Sequence, residues 1–327
     1  MSQRPPRSGR PPHSGRPAQN GRPAQSGRPA RSGPLIAVEA LARLVGEPRV
    51  RVVDVRWVLG QPGAGRRAYD QGHLPGAIFL DLDGDLALPP GPGRAGRHPL
   101  PPPTEFAARL ARAGIGSDDL VVAYDDVGGW VAARLWWMLD DLGQRGGVAV
   151  LDGGIGAWLA TGGELSLDVP APPATPARLE LSDRWTKVIE RDALRDRMGE
   201  VVLLDGRAAP RYRGEVEPID AYPGHIPTAV NAPTDGNLVE ASGVFLPATQ
   251  LRARFEALAD SAVAAGAAAT GAPVVTSCGS GVSACHASLA MRVAGLPDPI
   301  LYVGSYSDWS AAGEPVALGP EPGSAPG

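Results

Sequence analysis

Only two cysteines occur in the 327 residues of this chain. Cys278 and Cys285 stand seven positions apart, about two turns if helical, which places them poorly for a bridge. A disulfide framework is thereby excluded as a source of stability, and both thiols are expected to be free. No apolar run approaches the roughly 20 residues of a membrane span. The N-terminus lacks the short hydrophobic core of a secretory signal, so no membrane contact and a cytoplasmic location are expected. Cys278, Cys285 and His286 do not form a zinc ligand set; neither a metal nor an organic cofactor is expected.

Acidic residues are missing from residues 1–34, which carry seven arginines. The chain as a whole is −4, so the remainder carries −11 (−4 less 7). This basic stretch repeats Gly-Arg-Pro at 9–11, 15–17, 21–23 and 27–29 and offers almost nothing to bury, so a disordered tail is expected. It also lacks aromatics to stack on bases, and no specific nucleic-acid partner is expected.

What is present is a globular body, 43% hydrophobic and long enough for two domains, and it reads twice. Val52-Val53-Asp54-Val55-Arg56 corresponds to Leu203-Leu204-Asp205-Gly206-Arg207, and Gly72-His73-Leu74-Pro75 to Gly224-His225-Ile226-Pro227. Val121 to Asp125 aligns with Val274 to Cys278, and Trp158 with Trp309. The offsets are 151 (205 − 54), 152 (225 − 73), 153 (278 − 125) and 151 (309 − 158). Short β-branched runs alternate with helix-like stretches, which predicts an α/β fold with two mainly parallel sheets flanked by helices. The expected organisation is a tail over 1–34, a first domain over 35–165, a Pro-rich linker over 166–178, a second domain over 179–318 and a disordered tail over 319–327. The Pro/Gly-rich stretch from Pro89 to Pro103 is expected to be a surface loop. Asp54 with Arg56 and Asp205 with Arg207 are expected to pair and fix strand ends, and His225 to hold its own turn.

The most informative segment is the loop after the Val274-Val275 run. Cys278 sits where ligands gather in parallel sheets, past the carboxyl end of a strand. Gly279 and Gly281 let the backbone curl so that N–H groups can converge on one sulfur or oxyanion. The helix expected from Ala284 directs its dipole at Cys278 and favours a thiolate. The first copy holds Asp125 at the matching position, an exchange that a purely structural core site would rarely tolerate. A phosphatase loop would need an arginine six residues after the cysteine; that position is Ala284. With no side-chain cation, the loop suits a small monoanionic persulfide better than a phosphate dianion. Cys285 is expected to be core.

On these motifs the chain resembles the tandem rhodanese-domain sulfurtransferases over nearly all of 35–318. The Asp-x-Arg strands, the two Gly-His-(Leu/Ile)-Pro turns, the Asp-Gly-Gly-x-x-x-Trp ending of the first copy and the Cys-Gly-Ser-Gly-Val-Ser loop occur in the family's order. The resemblance implies two rhodanese-like domains with only the second active, Asp125 standing for the lost cysteine of the first. It implies a ping-pong cycle in which Cys278 takes sulfane sulfur from a small-molecule donor and passes it to cyanide, a thiol or a protein acceptor. The Cys-Gly-Ser-Gly-Val form, carried here by Cys278, Gly279, Ser280, Gly281 and Val282 and followed by Ser283, is that of 3-mercaptopyruvate members; thiosulfate members carry basic residues there. Ser280 would then polarise or protonate the substrate, Arg211 would bind the donor's anionic end, and His73 would either work with the serine across the domain boundary or, like His225, hold the turn of its own domain. Two positions depart from that pattern: Asp220 stands where a second carboxylate-binding arginine is expected, and Gln61-Pro62 where an acid should precede His73. Thiosulfate:cyanide sulfurtransferase and a persulfide relay to a protein partner are the alternative readings.

Overall fold

The computed structural model describes Met1, residues 33–91 and residues 96–325. The basic repeat at the N-terminus lies outside the described residues. The β-branched runs form two five-stranded sheets. The first contains β1 (Leu35–Ile36), β2 (Val50–Asp54), β3 (Ile78–Phe79), β4 (Leu120–Tyr124) and β5 (Val148–Leu151), in the order β1-β5-β4-β2-β3. The second contains β6 (Val188–Ile189), β7 (Val202–Asp205), β8 (Val230–Asn231), β9 (Val274–Ser277) and β10 (Ile300–Tyr302), in the matching order β6-β10-β9-β7-β8. Every pairing is parallel. Every residue of β4 is buried, which explains its unbroken apolar sequence: a parallel strand covered on both faces has no polar side.

Equivalent side chains do equivalent work in the two halves. Arg56 holds both oxygens of Asp54 and donates to the Gly72 carbonyl at 2.7 Å; Arg207 does the same with Asp205 and the Gly224 carbonyl, also at 2.7 Å. Each pair anchors a Gly-His turn to the end of a central strand. His73 and His225 each stack on a tyrosine, Tyr69 and Tyr212, and each pairs its backbone with the segment that follows the last helix of its half, at Ser166 and Ala317.

Helix Ala132–Asp141, which follows β4, packs on helix Ala284–Val293, which follows β9. Both are buried on nearly every side. Trp136, Trp137 and Leu139 of one join Ala287, Ala290 and Met291 of the other in a core cluster continuous between the halves. Asp140 at the edge of this seam accepts from Lys187 and Arg292 of the second half. Because each helix begins beside the loop of its own half, their contact draws both loops to the seam.

Two expectations about irregular segments are corrected. The stretch after Pro89 is not merely a surface loop: beyond residues 92–95, which lie outside the described residues, Arg97 donates its backbone N–H to Ser307 Oγ at 3.1 Å and His98 is buried. The stretch after Leu318 is not free either. Thr228 donates to the Pro322 carbonyl at 2.7 Å and Gly319 to that of Arg213 at 3.0 Å, so the strand-end turn of the second half captures the chain's backbone although its side chains are small. Among the described residues, no helix is long and apolar enough to cross a membrane.

Candidate active site

The loop after β9 is built around the Cys278 sulfur. Gly281 N–H donates to Sγ at 3.2 Å, while the Cys278 N–H is held by Ser305 Oγ at 3.1 Å and its carbonyl by Tyr306 N–H at 2.9 Å. Of the two loop glycines, only Gly281 takes the left-handed conformation (φ 76°), and a β-carbon there would meet the Val303 carbonyl oxygen at 2.3 Å. Gly279 has no positive φ, contrary to expectation. A β-carbon there would stand 3.0 Å from Arg97 Nη2, so the tip of that side chain would have to give slightly.

The first half shows what such a loop binds. Asp125, the counterpart of Cys278, places one oxygen against the N–H groups of Val127 and Gly129 and the other against those of Val131 and Ala132, at 2.8 to 3.0 Å. Its own carboxylate fills the anion cradle. In the second half the matching position holds the Cys278 thiol, with the Gly281 N–H directed at its sulfur.

A cavity of about 470 Å³ opens beside Cys278, lined by Trp57, Arg97, His98 and Trp130 of the first half and Arg207 and Arg211 of the second. Gly279, Ser280, Val282 and Ser283 also line it. Ser280 Oγ lies 2.8 Å from His98 Nδ1, and His98 Nε2 lies 3.2 Å from Asp83 Oδ1. Trp57 Nε1 donates to the other oxygen of Asp83 at 2.9 Å and so orients it. A carboxylate can only accept, which puts the imidazole proton on Nε2 and leaves Nδ1 to accept the Ser280 hydroxyl. Burial, reinforced by the charges of Arg134 and Arg97 and opposed by Asp83, pulls the His98 pKa down to about 4, so the ring is neutral near pH 7. Arg134, fully buried, donates to the Gly281 carbonyl at 3.1 Å and to the His98 carbonyl at 3.0 Å, tying the cysteine loop to the histidine segment.

Arg211 reaches the cavity with its other side held by Glu217 at 2.8 Å and Asp220 at 2.9 Å. Cys285 is core: its Sγ faces the Gly281 carbonyl at 3.4 Å, and burial pushes the thiol up to about 12. His73 does not line the cavity. Its Nδ1 faces the Tyr69 carbonyl at 2.9 Å and its Nε2 the carbonyl of Asp168, in the segment after the first half's last helix, at 3.1 Å. The histidine beside Ser280 is His98. Sequence reasoning also missed Asp83, Arg97 and Arg134; the available signal was a histidine and an arginine inside a Pro-rich insertion that the second copy lacks.

The rhodanese-like domain family matches residues 37–161 and again 190–312. A protein of Pseudomonas aeruginosa named "Probable 3-mercaptopyruvate sulfurtransferase" is 44% identical over 291 residues, covering 87% of this chain and 98% of its own length. The thiosulfate sulfurtransferase of Rattus norvegicus is 32% identical, over 80% of this chain and 85% of that one. Among solved structures, the 3-mercaptopyruvate sulfurtransferase from Leishmania major superimposes with a TM-score of 0.71 at 30% identity, covering 83% of this chain and 73% of that one.

Proposed function

The chain belongs to the rhodanese family, carrying its domain twice, and from that premise as a sulfurtransferase we propose that it takes sulfur from 3-mercaptopyruvate as a persulfide on Cys278. The acceptor in this reading is a thiol or cyanide. The observation that supports the donor is the Ser280–His98–Asp83 relay beside the nucleophile. Thiosulfate gives up sulfur with no proton to move, whereas 3-mercaptopyruvate brings an S–H, and its carbon must regain a proton.

The Cys278 thiolate attacks the donor's sulfur, the C–S bond breaks and its electron pair passes into the pyruvate enolate. Neutral His98, acting through Ser280, receives the thiol proton and returns it to the enolate carbon. Thiolate and 3-mercaptopyruvate thus become persulfide anion and pyruvate with no net proton gained or lost. The persulfide's outer sulfur takes the place that the Asp125 carboxylate holds in the first half, and its attack by thiol or cyanide restores the Cys278 thiolate.

The test is thiocyanate formation from cyanide with 3-mercaptopyruvate and with thiosulfate, by this protein and by Cys278→Ala. A higher kcat/KM for 3-mercaptopyruvate that vanishes in the variant is expected. Preference for thiosulfate overturns the donor assignment. Activity that survives without the thiol overturns the mechanism.

A further inference from the structure

We infer that Arg97, supplied by the first half, is the second guanidinium of the donor's carboxylate site, and that Asp220 is the residue that positions it. This rests on the 3-mercaptopyruvate reading above and adds how that donor is recognised. Asp220 looks at first like a defect, an acid in a site for an acid. Its side chain is almost fully buried, and its two oxygens are divided between two arginines: Oδ1 pairs with Arg97 Nη1 and Oδ2 with Arg211 Nη2. One carboxylate therefore holds together guanidinium groups from different halves of the molecule. Glu217 braces Arg211 from behind at 2.8 Å, and the Arg97 backbone is pinned to Ser307.

This bracing leaves one end of each guanidinium directed at the reacting loop. Arg97 Nη2 and Arg211 Nη1 lie 3.0 and 3.6 Å from the point where a side chain at Gly279 would begin, one residue from the nucleophile. Arg97 Nε is buried and has no hydrogen-bond partner among the described residues. Arg97, Arg207 and Arg211 with Asp205, Glu217 and Asp220 make a cluster neutral in sum, with unspent N–H donors facing the cavity. Such a cluster fits a singly charged carboxylate that brings matching acceptors better than a dianion needing net positive charge. It also explains the absence of a cation from the loop itself. The space beside Cys278 is already occupied by cations from outside, and even a β-carbon at 279 would press on the tip of Arg97.

The test compares 3-mercaptopyruvate with 1-mercaptopropan-2-one, which keeps the thiol and carbonyl but has no carboxylate. Relative to the unaltered enzyme, the ratio of kcat/KM for the acid over the ketone is expected to fall about tenfold or more in Arg97→Gln, chiefly through KM for the acid. Asp220→Asn, which frees both arginines, is expected to lower the same ratio, and Arg97→Lys, which keeps the charge, to fall in between. An unchanged ratio in Arg97→Gln, or a loss equal for both donors, overturns the assignment. If the unaltered enzyme fails to transfer sulfur from 3-mercaptopyruvate, the donor reading itself falls. Normal turnover with an unchanged ratio removes only the role of Arg97.

Discussion

Arg134 and His286 occupy the same place in the two halves, 152 positions apart (286 − 134), and each reaches across to a loop carbonyl of the other half. Arg134 Nη1 donates to Gly281 at 3.1 Å, and His286 Nε2 lies 3.0 Å from the carbonyl of Gly128, the counterpart of Gly281. The helices that carry them pack on one another, so each anion loop is fastened by the opposite domain. The half that carries Asp125 in place of the cysteine is thereby structurally part of the cavity beside Cys278.

Arg134→Leu should lower kcat/KM with 3-mercaptopyruvate by about tenfold or more and cost about 2–4 kcal/mol of stability, because two buried carbonyls lose their donor. The loss should be larger with 3-mercaptopyruvate than with thiosulfate, since His98 is displaced as well as the loop. Arg134→Lys should not rescue, as one ammonium cannot reproduce the fork to both carbonyls. Donor-resolved kinetics with denaturant titration checks this.

Ser280→Ala and His98→Gln should each reduce turnover of 3-mercaptopyruvate by about 100-fold, a typical share for proton transfer, with a much smaller effect on thiosulfate. Because burial pulls the His98 pKa down to about 4, the ring is neutral and able to accept a proton throughout the neutral range. In the parent enzyme, kcat/KM should show no decline attributable to His98 between pH 8 and 5, and should fall as the pH approaches 4. A rate profile dropping near pH 6.5 would contradict the neutral, buried histidine.

Stability should decline as the pH falls from 6.5 to 4. Burial lowers His98 and His286 to about 4, so over this interval the unfolded chain binds protons that the folded chain refuses. The native advantage is fully present above 6.5 and is lost as pH falls toward 4. Each histidine corresponds to about 3 kcal/mol at the acid end. His286→Gln should flatten the slope, as followed by urea titrations at pH 7, 6 and 5.

Asp125→Ala should destabilise the protein by about 3 kcal/mol or more, since four backbone N–H groups lose one charged acceptor. Asp125→Asn should cost less because it keeps one oxygen. Equilibrium unfolding of both variants at pH 7 measures the difference.

What the sequence determined by itself is whatever depends on neighbours along the chain or on the repeat. The β-branched runs predict strands because a covered parallel strand has no polar face, and the constant offset predicts two sheets of one topology. Cys278 is conspicuous because a thiol, two glycines and a helix start fall within a few residues. What only tertiary structure decided is the set of groups gathered around that thiol. His98 and Ser280 are 182 residues apart, and they meet because the two buried helices close the seam between the halves. His73 misled for a physical reason: a histidine present in both copies serves what the copies share, the Gly-His turn, whereas the site differs between them. Arg97, His98 and Arg134 have no such local signature, since their meaning comes from a cavity whose walls belong to different domains.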